Sequence, residues 1–509
     1  MENNPSGMPW QSGAGDAAPL SPDRPFFPSG GKEIALCALM LILSVLLVNF
    51  GIWGGLNLGF ALAGVAIVAA TTVYLIRSGR RPGLYSGALL LLSLVILAGF
   101  PRSDDAGVKA MLVLFLFVSV NLGLCLQAGQ NRREPGGAAS LLDAPRTLFV
   151  LGVGHLGPSF QGLRMAQQRG GKGSRRGGAI ALGLLIAIPL VALLLSLLTS
   201  ADAAFEGMLR HLPKFQWSEW VLCLFLGVPL GAVLYTRGAA LRHAPRQAPA
   251  APEARKGLSP LTVNTVLLAV CAVFVVYLLS QLAYFVGGFS GLLPEGFTVA
   301  EYARRGFFEI AWLCAINLAI IAGAAALLGS RAMPLLTKLT CLFIGLFSLF
   351  LVSTAAAKMV MYIRSFGLTR LRVLTTVILL WLAITLMLAC VRLFVPKLPY
   401  MKGVLLAAMI IGAAVLWVDV DTQVARYNVS AYQSGALQEV DVRYLGQLNA
   451  GAVPYLVQLA ENSDPETAAN AAAVLEECGY LEEWVADFRS WNYPAARAEE
   501  LVKPYVPAE

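Results

Sequence analysis

Eleven apolar runs alternate with short polar connectors between residues 34 and 418. They lie near 34–53, 56–76, 84–100, 108–128, 178–199, 217–236, 261–286, 307–329, 336–361, 371–394 and 402–418. A helix rises about 1.5 Å per residue and the hydrocarbon core of a bilayer is about 30 Å thick, so one crossing takes about twenty apolar residues. The runs at 84–100 and 402–418 are the shortest. The run "TLFVLGVGHLG" (147–157) is too brief to cross and is expected at the membrane interface. After residue 418 the pattern changes to short helical stretches punctuated by Pro454 and Pro465, with Asp464 placed to cap the helix that Pro465 opens. The expected architecture is an all-α polytopic transmembrane bundle of about 11 spans, followed by a small, mostly helical C-terminal domain.

Composition supports that class. Hydrophobic residues make up 57% of the 509, charged residues 13%, and the mean hydropathy is +0.68; soluble domains carry about 25% charged residues. Residues 1–31 are rich in Pro, Gly and Ser, lack an apolar signal core, and read as a disordered tail. With the N-terminus cytoplasmic, the inner segments hold 23 Lys and Arg and the outer loops before the tail hold 8. That asymmetry predicts a cytoplasmic N-terminus and, with eleven spans, an extracytoplasmic C-terminus. The chain divides into a tail (1–33), a four-helix part (34–128), a basic cytoplasmic loop (129–177), a seven-helix core (178–418) and an acidic helical domain (419–509). The last holds 15 Asp and Glu against 5 Lys and Arg. Seven of the eight cysteines lie in apolar runs and suit packing, and neither they nor the three histidines show metal-ligand spacing. No cofactor or metal is assigned. The inner "QRGGKGSRRGG" (168–178) lacks the phosphate-loop spacing and reads as a positive anchor.

Two stretches place arginines where lipid begins. In "TVAEYARRGFFE" (298–309), Thr298 and Glu301 form a capping box, and Phe297 and Tyr302 a staple. The helix therefore starts before Arg304 and Arg305, and from Val299 to Leu328 it would run about 45 Å, about 15 Å more than the hydrocarbon core. Glu301, Arg305 and Glu309 share one stripe at a spacing of four. In "YIRSFGLTRLRVLT" (362–375), Arg364, Arg370 and Arg372 make the most basic outer loop. If Thr369 caps the next helix, Arg370 and Arg372 stand in a first turn whose dipole disfavours cations. An anion must face them: Glu301 or Glu309, the acidic tail, a lipid phosphate or an anionic substrate. A salt-bridge network that locks the bundle and an anion or lipid site both satisfy this. Asn121 and Asn317 suit helix–helix hydrogen bonds, Lys358 suits snorkelling, and Pro189 and Pro229 suit kinks or the broken helices of a transporter.

"AEYARRGFFE" and "GLTRLRVLT", with "SADAAFEGML" (200–209) and "ARYNVSAY…DVRYLGQL…AVPYLVQL" (425–459), resemble a bacterial multi-pass membrane family, domain of unknown function 4173, whose sibling group is 4153. The resemblance spans roughly 140–460. Ala203 stands where that family has proline and Phe366 where it has tyrosine. What it implies is an envelope protein without established biochemistry. Asp202, Arg304, Arg305, Arg370 and the tail all fall on the predicted outer side, which suggests one shared surface. Arg304, Arg305, Arg364, Arg370 and Arg372 would supply donors, Glu301 and Glu309 would hold them, and Asp202, Tyr427, Asn428, Asp441 and Tyr444 would form a seam with the tail. The expected function is a non-enzymatic bacterial inner-membrane scaffold, sensor, or binder of an anionic lipid or solute, with the bilayer and an envelope protein as partners and nucleic acid as none. The alternatives are a secondary transporter and a membrane-embedded transferase acting on an envelope lipid.

Overall fold

The computed structural model describes residues 27–169, 217–245, 257–289, 307–329, 331–481 and 487–505, with four isolated positions between 187 and 198. In chain order the helices are α1 (Gly31–Trp53), α2 (Leu58–Ile76), α3 (Leu84–Gly99), α4 (Ala106–Ala128), α5 (Asp143–Arg146), α6 (Leu156–Arg169), α7 (Trp217–His243), α8 (Pro260–Phe289), α9 (Phe307–Leu327), α10 (Leu335–Phe366), α11 (Arg370–Phe394) and α12 (Tyr400–Val418). The C-terminal unit adds α13 (Val420–Gln433), α14 (Val442–Gly446), α15 (Val453–Asn462), α16 (Pro465–Leu481) and α17 (Tyr493–Val502). Among the described residues there is no strand, and ten helices, α1–α4 and α7–α12, are long and apolar enough to cross a membrane. The predicted run at 178–199 lies outside the described residues, as do Asp202, Glu301, Arg304 and Arg305.

These helices are apolar on all sides, so their outer faces expose large side chains such as Phe225, Leu261, Val276 and Trp312. Such surface is stable only against lipid. One core joins α1–α4 with α7 and α12 through residues such as Met40, Leu75, Leu89, Leu112, Leu241 and Met409. A second joins α8, α9 and α10 around Leu267, Ile321 and Ile344, and a third packs α9 and α10 on α11. The C-terminal helices close on a core of their own, with Val424, Leu445, Leu456, Leu459 and Leu475 buried.

The tightest crossing pairs α1 with α7, running antiparallel. Small residues permit it: a Cβ on Gly227 would sit 2.6 Å from Val45 Cα, and one on Gly231 would sit 2.8 Å from Leu41 Cα. This "GVPLG" stretch is a small-xxx-small contact that carries Pro229 within it. Ser44 Oγ donates to the Gly227 carbonyl at 2.7 Å, a side-chain bond that ties the two helices at this crossing.

Polar contacts sort the connectors into two ends. At one end Glu33 of α1 pairs with Arg242 of α7, Arg80 donates to the Ala128 and Arg242 carbonyls, Gln130 reaches the Ala244 carbonyl at 2.7 Å, and Arg146 reaches the Gln130 carbonyl at 2.9 Å. At the other end the connectors 54–57, 100–105 and 367–369 meet the start of α7 and the C-terminal unit. The helix α4 finishes at the first end and α7 begins at the second. The run "TLFVLGV" does not lie free: it continues α5 as a π-helical stretch, Thr147–Val153, buries Thr147, Leu151 and Gly152, and leaves Phe149, Val150 and Val153 exposed.

Candidate functional site

The site is the seam where the C-terminal unit meets the second end. It begins with the turn between α10 and α11. Gly367 has φ +73, a left-handed conformation, and a Cβ there would sit 2.6 Å from Asn428 Oδ1. That clearance lets Asn428 of α13 clamp the next peptide twice: Leu368 N–H donates to Asn428 Oδ1 at 2.6 Å, and Asn428 Nδ2 donates to the Leu368 carbonyl at 2.8 Å. Thr369 then caps α11, accepting from Arg372 N–H at 3.3 Å.

Arg370 follows at the first helical position. Its N–H donates to Tyr444 Oη at 2.9 Å, and its guanidinium makes a forked pair with Asp421, Nε to Oδ1 at 2.7 Å and Nη2 to Oδ2 at 2.6 Å. Two parallel charge-assisted bonds fix orientation as well as distance. The Asp421 side chain is 1% exposed and that of Arg370 33%. Asn449 supplies a third donor to Asp421 at 2.7 Å. Asp105 stands behind, its Oδ2 3.4 Å from Arg370 Nε, while its Oδ1 caps α4 by accepting from Val108 N–H at 3.0 Å. The anion facing Arg370 is therefore protein carboxylate, one from the tail and one from the bundle. Together they offset the unfavourable dipole of the first turn.

A deeper polar layer lies beside this pair. Lys109 is buried and donates to Asn57 Oδ1 at 2.5 Å. Asp419, between α12 and α13, has φ 55 and is buried, accepts from Thr422 Oγ1, and has a carboxyl held above the ordinary range, chiefly by burial. A second strap crosses the seam at 487–493. Leu58 N–H donates to the Trp491 carbonyl and Gly59 N–H to the Arg489 carbonyl, both at 3.2 Å; Arg489 Nη1 reaches Asn49 Oδ1 at 3.1 Å, and Asn492 Nδ2 reaches Asp104 Oδ1 at 3.1 Å. A pocket of about 480 Å³ opens at the seam, lined by Thr369, Arg370, Leu371, Leu374, Tyr444 and Gln447.

The sequence-predicted residues scatter more than one surface would require. Arg370, Asn428 and Tyr444 meet directly. Arg372 turns back to the Phe366 and Gly367 carbonyls and stacks over the Tyr362 ring at 4.0 Å, capping the end of α10. Asp441 caps α14 by accepting from Tyr444 N–H at 2.8 Å, so it acts one step behind the seam. Tyr427, Arg364 and Glu309 are exposed, and among the described residues neither Arg364 nor Glu309 forms an ion pair. Sequence reasoning missed Asp421, Asp105, Asn449, Asp419, Lys109 and Arg489. A signal existed for two of them, since "VDVD" follows an apolar run directly.

The sequence model of one family, described as a domain of unknown function (DUF4153), matches residues 84–459. The chain belongs to this family. The match runs from α3 into α15 and so takes in both sides of the seam, Asp105 and Arg370 from the bundle and Asp421 and Tyr444 from the tail. It falls on the 4153 group, the sibling of the one whose motifs the sequence resembles, and begins further upstream than those motifs do. No curated protein and no solved structure matches the chain. Among the described residues no group of three His, Cys, Asp or Glu forms that could hold a metal ion. What the arrangement does chemically is grip: donors and acceptors from distant parts of the chain are matched across a buried boundary.

Proposed function

We propose that this multi-pass protein lies in the bacterial inner membrane as a non-enzymatic scaffold or sensor that holds its acidic helical tail rigidly against the extracytoplasmic end of the bundle. The observation that carries the reading is the forked Arg370–Asp421 pair, with Asp421 buried and Asp105 behind it. The excess of Lys and Arg in the connectors of the opposite end supports the orientation. An anionic lipid is the ligand the seam would take. The pocket at Arg370 has leucine walls, Leu371 faces outward, and Arg370 Nη1 is not part of the pair.

The test has two arms. In a cysteine-free background, Ser365→Cys and Ser434→Cys are labelled by a membrane-impermeant maleimide on intact cells; labelling only after the cytoplasmic side is opened overturns the orientation. The exchange Arg370→Asp with Asp421→Arg restores the protease resistance of the tail that Arg370→Asp alone removes. A tail equally resistant in the wild type and both variants overturns the grip.

A second reading, a secondary transporter, draws on one residue. Arg237 lies within α7, is 2% exposed and donates to Asn121 Oδ1 of α4 at 2.9 Å, while its Nε and Nη2 have no hydrogen-bond partner. Intramembrane ionisable groups of this kind mark transport paths in other proteins.

A further inference from the structure

Next to the Arg370 pocket, with which it shares Gln447, α14 and the connector before it run beside α16 and enclose a groove of about 930 Å³. The two walls touch at the base, where a Cβ on Gly446 would sit 2.5 Å from Val474 Cγ1. Above that point they part. Val442 and Val474 give the groove an apolar floor, and its rim is acidic, with Glu439 and Asp441 on one side and Glu466 and Glu477 on the other. All four carboxylates are exposed, and none pairs with a cation among the described residues. Against them stands Arg443 alone among the lining residues.

The connector supplies a second, independent feature. Residues 438–441 are non-helical, and their backbone N–H groups donate to no described residue, although Leu437, Val442 and Tyr444 on either side are bonded. The run bends at Gln438 and turns at Asp441, where Val442 N–H closes on the Val440 carbonyl, so its free N–H groups are what a guest backbone would bond, and the grooved side chains then read alternate residues of the guest. The wall along α16 from Glu466 to Glu477 is about 16 Å long, the length of about five extended residues.

We propose that this groove binds an extended peptide segment bearing lysine or arginine at alternate positions, with apolar residues between them over the valine floor. Main-chain bonds to 438–441 would supply register, and the four carboxylates would select the charge. The inference rests on the tail being held against the extracytoplasmic end of the bundle, as in the reading above, but uses none of the clasp residues. The scaffold would thus display a recognition surface for a basic segment of a partner protein.

The experiment is fluorescence anisotropy of the full-length protein in a non-ionic detergent, with a labelled hexapeptide of alternating Lys and Val and a matched peptide of alternating Glu and Val. The Lys peptide is expected to bind and the Glu peptide not, with affinity falling as salt is raised. Combining Glu439→Gln, Glu466→Gln and Glu477→Gln is expected to weaken binding by at least about tenfold, a loss of about 1.4 kcal/mol, without changing thermal unfolding. Val440→Pro, which removes one backbone N–H, is expected to weaken it independently of salt. Equal binding of the two peptides, or unchanged affinity in the triple variant, overturns the proposal. If no peptide binds while Arg370→Ala still frees the tail, the groove reading falls and the clasp stands.

Discussion

Replacing Arg370 by alanine should loosen the tail by an amount the geometry sets. The change removes both charge-assisted bonds to Asp421 and leaves that carboxylate buried, with Asn449 as its remaining side-chain donor. Breaking a fully buried pair costs about 3–5 kcal/mol, and an exposed pair contributes about 0–1 kcal/mol. With Asp421 1% exposed but Arg370 33%, the expected cost is about 2 kcal/mol. Removing the other partner is expected to cost less, because Arg370 can turn toward water. The double variant Arg370→Ala with Asp421→Ala should cost less than the sum of the single changes, giving a coupling of about 1 kcal/mol or more. Hydrogen exchange followed by mass spectrometry on detergent-solubilised protein reads this directly. Amides of α13 and α14 should exchange about thirtyfold faster in Arg370→Ala, the equivalent of about 2 kcal/mol. Exchange within about twofold of wild type, or a cycle that is additive, would refute the clasp.

Three further outcomes follow from the packing and the titrations. Gly231→Leu should prevent close approach of α1 and α7, because its Cβ already crowds Leu41 Cα; a loss of about 1–3 kcal/mol should appear as a lower unfolding temperature in detergent. The Asp464 carboxyl, held down to about 2 by the Tyr432 hydroxyl and then by Thr467, favours the folded tail when ionised. Its contribution is therefore present at pH 4 and above and lost as pH falls through about 2, which a carbon-13 carboxyl titration would follow. Asp419 has the opposite sign. Burial raises its folded pKa, so its ionised form weakens the fold at neutral pH and that cost disappears as pH falls through the raised value. Asp419→Asn, which also suits φ 55, should stabilise the tail at pH 7, with the gain vanishing in acid; a gain constant across pH would show that charge is not its cause.

How much of this was legible in the sequence depends on distance along the chain. The ten described spans follow from length and all-round apolarity, and the two shortest predicted runs are helices at Leu84–Gly99 and Tyr400–Val418. Local chemistry was legible too, with Thr369 and Asp464 capping where spacing placed them. The anomaly at Arg370 could be seen, but which of several candidate anions answers it could not. The acidic tail stood among the candidate partners beside Glu301, Glu309, a lipid phosphate and a substrate, but no spacing along the chain singled out Asp421 within it or Asp105 at the start of α4. Hydropathy also ended the sixth run at residue 236, while α7 continues to His243 and keeps Arg237 inside. A charge ends an apolar run by composition, yet a helix continues through it when a neighbour, here Asn121, supplies an acceptor.

Arg237 is where the two functional readings part. A buried guanidinium with one neutral partner and two bare nitrogens is costly to keep, and replacing buried ionic groups with well-packed apolar ones is often neutral or stabilising. Arg237→Met keeps much of the volume and removes the charge, leaving Asn121 Oδ1 to lose one bond worth about 1 kcal/mol. If Arg237 only joins helices, Arg237→Met should lower stability by about that bond, and Asn121→Ala should lower it more, because it strips the arginine of its acceptor. If Arg237 serves a passage through the bundle, Arg237→Met should match or exceed wild-type stability while Arg237→Lys, which retains the buried charge, stays less stable, a cost without structural return. The comparison is made by thermal unfolding of the three variants in one detergent. A loss of about 3 kcal/mol or more in Arg237→Met would remove the transporter reading, because the charge would then be holding the bundle together.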